Sequence, residues 1–181
     1  TKMAERLLEV LKRPFLIIGQ RANISASIGL AVLHHATQSV DDLTKHAELA
    51  LYEAKNNARG HYIFFESSFE KKALEQHDLE VSLRRALLLQ ELTLFYQPQV
   101  NMSDNKVVGF EALIRWERPG KGMISPTSFI PLAESTGEIH EIGKWVLQTA
   151  CREAMSWPEH ITIAVNVSPV QFENNQLVST V

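Results

Sequence analysis

Apolar residues recur at every second position in some stretches of the chain and at every third or fourth position in others. The first spacing is typical of β-strands and the second of amphipathic α-helices. Strands are predicted over residues 15–18, 23–33, 62–65, 92–100, 109–116 and 161–168. Helices are predicted over residues 3–13, 39–58, 69–89 and 138–157, with a further helix that begins at Ser125 and Pro126.

Two details refine this pattern in the first third of the chain. The strands 15–18 and 23–33 are joined by residues 19–21, which predicts a hairpin. Ser39 and Asp42 have the spacing of a capping box, so the next helix is expected to begin there. Its buried stripe is predicted to consist of Leu43, Ala47, Ala50, Leu51, Ala54 and Ala58.

The strand 109–116 has two faces of different character. Its apolar face is formed by Phe110, Ala112, Ile114 and Trp116. The other face carries Glu111, Leu113 and Arg115, and charged groups there are costly to bury without partners. The residues alone leave two interpretations open. The face belongs either to an internal ion pair or half-exposed edge strand, or to a polar cavity that binds anions and metal ions.

The second half of the chain has the βα rhythm of a barrel or a doubly wound sheet, which predicts an α/β fold. In a β/α barrel, polar groups at the carboxyl ends of strands line the active site. Glu111, Arg115 and Asn166 fit that placement. Carboxylate and amide oxygens suit Mg²⁺ or Mn²⁺ rather than zinc. An asparagine by itself in this position is more often a strand-end cap or a turn former.

Composition narrows the class of protein. The chain is 45% apolar and 22% charged, as in soluble globular proteins. A net charge of −3 gives no electrostatic reason to bind a nucleic acid polymer or a membrane surface. Cys151 is the only cysteine, which fits a reducing compartment, and a cytoplasmic location is expected. The chain reads as a segment of a longer protein, whose tethering to a membrane through upstream segments stays open.

Residues 25–31 (SASIGLA) and 50–59 (ALYEAKNNAR) resemble the C-terminal part of a GGDEF domain, a cyclase-like α/β family that makes cyclic di-GMP from GTP. The resemblance implies that Lys55 and Arg59 reach nucleotide phosphates and that GTP is the ligand of this part. An equally simple interpretation is that both cations stabilise the end of their helix. The chain contains no counterpart of the family's signature hairpin, so we expect no cyclase activity.

An ordered series of motifs resembles the opening half of an EAL domain. The motifs are 95–98 (FYQP), 109–116 (GFEALIRW), 124–126 (ISP), 129–134 (FIPLAE), 136–137 (TG) and 166–168 (NVS). This family folds as a modified, TIM-like β/α barrel and hydrolyses cyclic di-GMP to linear pGpG with Mg²⁺ or Mn²⁺. The domain limits that follow are 1–66 for the GGDEF part, 67–90 for a helical connector and 91–181 for the EAL part.

The resemblance to EAL domains also implies roles for particular residues. Glu111 and Asn166 would be metal ligands, and Arg115 would contact a phosphate of the dinucleotide. The other residues implied to contact the substrate are Gln97, Leu113 and, near a guanine, Pro126.

The parent protein is therefore expected to be a tandem GGDEF–EAL protein and a cyclic di-GMP phosphodiesterase. The alternatives are a catalytically inactive EAL module that binds cyclic di-GMP as a sensor, a bifunctional enzyme, and a scaffold whose polar strand faces satisfy one another. The family's later acidic ligands and catalytic lysine would lie beyond residue 181, so the chain itself is expected to be inactive. The resemblance leaves a homodimer open.

Overall fold

A computed structural model describes residues 1–33, 39–57 and 59–172. The chain divides into two compact units, Thr1–His77 and Asp78–Val181, and each is described by itself. Within the described ranges, no helix is long and apolar enough to cross a membrane. Helix and strand alternate in both units, so the predicted α/β class is confirmed.

In its described ranges, the first unit contains three helical segments and two small sheets. Its elements are α1 (Lys2–Leu11), β1 (Phe15–Ile17), β2 (Gln20–Ala22), β3 (Ile28–Leu30), α2 (Val40–Asn57), β4 (Tyr62–Phe64) and the first part of α3 (Ser68–Ala86). The strands β1 and β2 pair antiparallel, whereas β3 and β4 pair parallel. A parallel pair needs a crossover connection, and α2 provides it between β3 and β4.

The predicted hairpin exists, but its turn and its second strand were assigned wrongly. Ile18 and Gly19 form the turn with φ angles of 50° and 77°, and Ile17 pairs with Gln20 directly after it. Two positive φ angles match the turn type that suits the twist of a hairpin. The predicted strand 23–33 is shorter than expected, because β3 pairs only along its three-residue partner β4.

Helix α2 begins with the capping box that the sequence predicted. The Ser39 hydroxyl donates to Oδ2 of Asp42 at 2.7 Å, and the Asp42 amide donates back to the Ser39 hydroxyl at 3.0 Å. Ala50 and Ala54 of the predicted stripe are fully buried, while Ala58 lies outside the described residues. Helix α2 approaches β3 so closely that a Cβ at Gly29 would overlap the backbone of α2.

The second unit is built around one sheet and the helices that cover it. Its elements are the end of α3, β5 (Leu92–Val100), β6 (Val107–Arg118), β7 (Gly122–Ile124), α4 (Pro126–Thr136), α5 (Ile139–Ala154), β8 (Thr162–Val165) and a 3-10 helix (Pro169–Phe172). β6 pairs antiparallel with β5 and β7 and parallel with β8. The parallel pairing of β6 and β8 across two helices confirms the βα rhythm. β7 was not among the strands predicted from the sequence.

The core of the second unit lies between the apolar face of β6 and the helices. Trp116 and Phe129 are completely buried, and their rings meet edge to face with centroids 5.5 Å apart. The other buried members of the cluster are Leu83, Ala86, Leu92, Leu132, Ala133, Ile139, Ile142 and Val146. The apolar face predicted for β6 thus forms one side of this core.

Polar contacts fix the end of β6 that carries Trp116. The indole nitrogen of Trp116 donates to Glu91 at 2.9 Å, which satisfies its one donor. Arg118 donates through two nitrogens to the carboxylate of Asp78, both at 2.9 Å. This bidentate pair raises the pKa of Arg118 and attaches α3 to the strand.

Removal of the Phe129 ring tests this packing. We expect Phe129→Ala to lower the free energy of unfolding by about 3–5 kcal/mol, because it leaves a cavity against Trp116. Urea unfolding followed by tryptophan fluorescence reports on the second unit, since Trp116, Trp145 and Trp157 all lie there. Met102→Ala is the control, because Met102 is 93% exposed, and it should stay within about 0.5 kcal/mol of the wild type. Equal losses from both variants would contradict the assigned core.

The capping box predicts a pH dependence. The hydrogen bond from the Ser39 side chain holds the pKa of Asp42 below its ordinary value. Because the folded-state pKa is lowered, this contribution to stability is present above the unfolded pKa of about 3.9 and is lost as the pH falls through the folded value. An NMR titration of the Asp42 carboxyl should show the lowered pKa, and Ser39→Ala should raise it. Thr44→Ala is the control. It removes a hydroxyl that donates to the Val40 carbonyl, so the pKa of Asp42 should stay unchanged.

Candidate functional site

The polar face of β6 and the facing residues of β5 form one continuous surface. Gln97 lies opposite Glu111 in the antiparallel register, and Phe95 lies opposite Leu113. Paired residues of neighbouring strands share a face of the sheet. The structure therefore places three of the predicted site residues on the face that points away from the Trp116 core.

The two predicted metal ligands contact each other. The side-chain amide nitrogen of Asn166 donates to Oε1 of Glu111 at 2.7 Å. The register explains the contact, because Glu111 lies opposite Ala164 in the parallel pair and Asn166 follows two residues later on the same face. Glu111 is half-buried and Asn166 is exposed, so the pair lies at the carboxyl end of β8 within reach of solvent.

The donor set of this pair fits part of a magnesium or manganese site. The hydrogen bond occupies Oε1 of Glu111 and the nitrogen of Asn166, and the second carboxylate oxygen and the amide oxygen are hard donors of the kind that both ions prefer. Magnesium takes six oxygen ligands and keeps several waters. Within the described ranges there is no group of three or more His, Cys, Asp or Glu residues that could hold a metal ion. Glu111 and Asn166 would therefore supply only part of the coordination sphere.

Arg115 is held in place on the same face. Its Nη1 donates to the carbonyl of Ile114 at 2.8 Å, and its guanidinium carbon lies 5.6 Å from the centroid of the Phe95 ring. A cation over an aromatic face is attracted to it. A guanidinium oriented in this way presents a fixed fork of donors that suits a phosphate group.

A cavity of about 360 Å³ lies beside these residues. Four predicted site residues line it: Leu113, Arg115, Pro126 and Asn166. Its remaining walls come from Ala112 and Ile114 on the apolar face of β6, from α4 and α5, and from the residues after β8, and they are mostly apolar. Gln97 and Glu111 do not line the cavity and lie on the adjoining sheet face instead. An apolar cavity with a few convergent polar groups is typical of a small-molecule site.

Three further residues of this region were not predicted from the sequence. The Ser168 hydroxyl donates to Glu134 of α4 at 2.6 Å, and the Ser168 amide donates to the side-chain oxygen of Gln171 at 3.1 Å. All three residues line the cavity. The spacing of Ser168 and Gln171 is that of a capping box, a signal that could have identified two of them.

The two residues predicted to reach nucleotide phosphates lie in the first unit. Lys55 is exposed in the last turn of α2, and Arg59 is exposed shortly after the helix ends. A cation in the last turn is favourable for the helix dipole without any ligand. Their role in phosphate binding therefore stays a prediction.

Comparison with known proteins agrees with this geometry. The model of the EAL domain matches residues 80–181, and that of the diguanylate cyclase GGDEF domain matches residues 1–61. The chain belongs to the EAL domain family. The tandem order predicted from the sequence is confirmed, while the limits 1–66, 67–90 and 91–181 stay predictions.

Several relatives are similar over nearly the whole chain. The bifunctional diguanylate cyclase/cyclic di-GMP phosphodiesterase MucR of Pseudomonas aeruginosa is 43% identical over 99% of this chain and 27% of its own length. The curated relatives that the chain matches are much longer, and it spans about a quarter of the length of the first four, from 22% to 27%.

Solved EAL structures share the fold of the second unit. A cyclic di-GMP complex of the PaMucR phosphodiesterase is 45% identical, with a TM-score of 0.55 over 57% of this chain and 43% of that one. The FimX EAL domain of Xanthomonas citri, in complex with cyclic di-GMP, is 28% identical, with a TM-score of 0.51 over 61% of this chain and 44% of that one. The predicted TIM-like barrel architecture of the family is thereby confirmed.

Proposed function

We propose that this chain is part of a cyclic di-GMP phosphodiesterase that hydrolyses its substrate to linear pGpG by metal-assisted attack of water. The contact between Glu111 and Asn166 carries the proposal, because it brings two hard oxygen ligands together beside an oriented arginine. The printed names of the relatives support it, since MucR is a cyclic di-GMP phosphodiesterase and its solved relative is a cyclic di-GMP complex.

The proposed roles divide the site into a metal side and a substrate side. Glu111 and Asn166 would hold Mg²⁺ or Mn²⁺ at the carboxyl end of β8. The chemistry that such an ion supplies is activation of a water molecule and neutralisation of charge on the phosphodiester. Arg115 would bind a phosphate oxygen through its remaining guanidinium donors. The cavity would accept a guanine, with Pro126 and Leu113 against the base and Gln97 on the adjoining face.

The described residues limit what the isolated chain should do. Glu111 and Asn166 would provide two oxygen ligands, whereas the octahedral ions need more. We therefore expect the 181-residue chain to be inactive by itself and the parent protein to hydrolyse cyclic di-GMP. GTP binding through Lys55 and Arg59, homodimerisation and a cytoplasmic location stay predictions for the parent.

Replacement of Glu111 tests the metal side. We expect Glu111→Gln in the parent protein to lower the rate of Mn²⁺-dependent hydrolysis by more than about 100-fold, because a charged metal ligand is lost. Linear pGpG is measured by chromatography. Glu117→Gln is the matched control, since Glu117 lies exposed on the same strand and should keep wild-type activity. A wild-type parent that binds cyclic di-GMP without hydrolysing it would instead support the inactive sensor.

Replacement of Arg115 tests the substrate side. A lysine keeps the charge but loses the planar fork and its position over Phe95. We expect Arg115→Lys to weaken cyclic di-GMP binding by about 10-fold, in keeping with the loss of a hydrogen bond to a charged group. Calorimetry with Ca²⁺ in place of Mn²⁺ limits turnover during the measurement. Arg152→Lys, an exposed change on α5, is the control. Equal affinity in all three proteins would remove Arg115 from the site.

A further inference from the structure

We propose that Gln171, Ser168 and Glu134 form a positioning network that holds Asn166 against Glu111 and thereby sets the metal affinity of the site. The inference rests on the proposed function, because it concerns the same metal side. It adds three residues that are not metal ligands in that proposal, and all three line the proposed guanine cavity. The name "positioning network" is used below for these three residues only.

Gln171 is an unusual residue in the described part of the chain. It is the one polar side chain there that is buried, with 6% of its surface exposed. Burying an amide is costly unless its polar atoms are hydrogen-bonded. Its side-chain oxygen accepts from the Ser168 backbone amide at 3.1 Å, and the backbone N–H of Gln171 donates to the Ser168 carbonyl at 3.0 Å. The backbone of Ser168 is therefore tied on both sides to one buried residue.

Helix α5 leaves space for the Gln171 side chain at Gly143. Gly143 lies on the buried side of α5, and a Cβ at this position would overlap the Gln171 side chain. Any larger residue at Gly143 would push Gln171 away from the helix. The close approach explains why a glycine, which weakens a helix interior, stands in the middle of α5.

The side chain of Ser168 connects the same loop to a second helix. Its hydroxyl donates to Oε1 of Glu134 at 2.6 Å, a length typical of a hydroxyl that donates to a carboxylate. The hydroxyl oxygen also accepts from the Val170 amide at 3.2 Å. Ser168 is thus fixed by α4 through Glu134 and by α5 through Gln171.

Asn166 depends on such external support. It is exposed, so packing does not fix its side chain, and it lies beyond the last residue of β8. Its backbone is restrained on one side by the pairing of β8 with β6 and on the other by Ser168, two residues later. Residues that orient a metal ligand commonly change metal affinity by about 10–100-fold when they are lost. We therefore assign to the positioning network a role in orienting Asn166, in addition to capping the 3-10 helix Pro169–Phe172.

The test measures metal binding directly in the parent protein. Free Mn²⁺ is quantified by its electron paramagnetic resonance signal during titration of wild type, Gln171→Met and Gly143→Ala. Methionine keeps the volume but removes the acceptor for Ser168, whereas alanine at 143 displaces Gln171 without deleting a polar group. We expect both variants to raise the Kd for Mn²⁺ by about 10–100-fold. We also expect saturating Mn²⁺ to recover most of the lost turnover, since the network acts through metal affinity.

Matched variants separate this role from a purely structural one. Gln148→Met makes the same change at an exposed position of α5 and should bind Mn²⁺ as the wild type does. Glu134→Ala removes a half-buried partner, and Glu134→Gln, which keeps an acceptor for Ser168, should restore most of the affinity. If the changes at 171 and 143 prevent folding, the Glu134 pair decides the question.

The outcomes distinguish this inference from the proposed function. Unchanged Mn²⁺ affinity in folded variants of the network, with a wild type that hydrolyses cyclic di-GMP, would overturn the inference alone. A wild-type parent that neither binds Mn²⁺ nor hydrolyses cyclic di-GMP would overturn both. A loss of thermal stability with unchanged Mn²⁺ affinity would show that the network is only a helix cap, which also overturns the inference.

Discussion

The alternation of side chains along β6 is the constraint on which the second unit depends. Successive residues of a strand point to opposite faces, so a strand that buries Trp116 presents Arg115 to the other side. The buried face is stabilised by the contact of Trp116 with Phe129 and by the helices around it. The opposite face carries Glu111 and Arg115, and Phe95 and Gln97 of β5 lie beside them on the same face. The strand β6 therefore contributes residues both to the hydrophobic core and to the candidate site.

The two proposed metal ligands are held by different kinds of interaction. Glu111 lies on β6, whose position is set by burial of apolar residues on the far side. Asn166 lies in a loop whose position is set by hydrogen bonds from Ser168 to Gln171 and Glu134. Apolar burial is tolerant of volume-conserving changes, whereas a hydrogen-bonded loop depends on particular acceptors. The metal side of the site should therefore vary among relatives more through its loop than through its strand.

Much of the fold could be predicted because local patterns determine it. The spacing of residues close in sequence predicted three features: the capping box at Ser39, the apolar face of β6 and the helices around Phe129. Glu111 and Asn166 are 55 positions apart, and they were placed in one site by the βα rhythm of the second half of the chain and by the family resemblance.

Features that depend on distant contacts were missed or misplaced. The predicted position of the hairpin turn was wrong. The turn lies at Ile18 and Gly19 because strand pairing sets the register there, and not a preferred turn sequence. β7 was missed because its three residues become a strand only by pairing with the end of β6. The bond of Ser168 to Glu134 joins residues 34 positions apart and leaves no local pattern in the sequence.

The two-faced character of β6 also restricts how the length of the gene can vary. Insertion or deletion of one residue within the strand would move every later side chain to the opposite face. Trp116 would then point to the site and Arg115 into the core, so a single codon would cost both stability and function. The exposed turn 101–106 between β5 and β6 carries no such penalty, since it contributes neither to the core nor to the site. Among homologues, changes in length should therefore collect in this turn, while the spacing between Glu111 and Trp116 stays fixed.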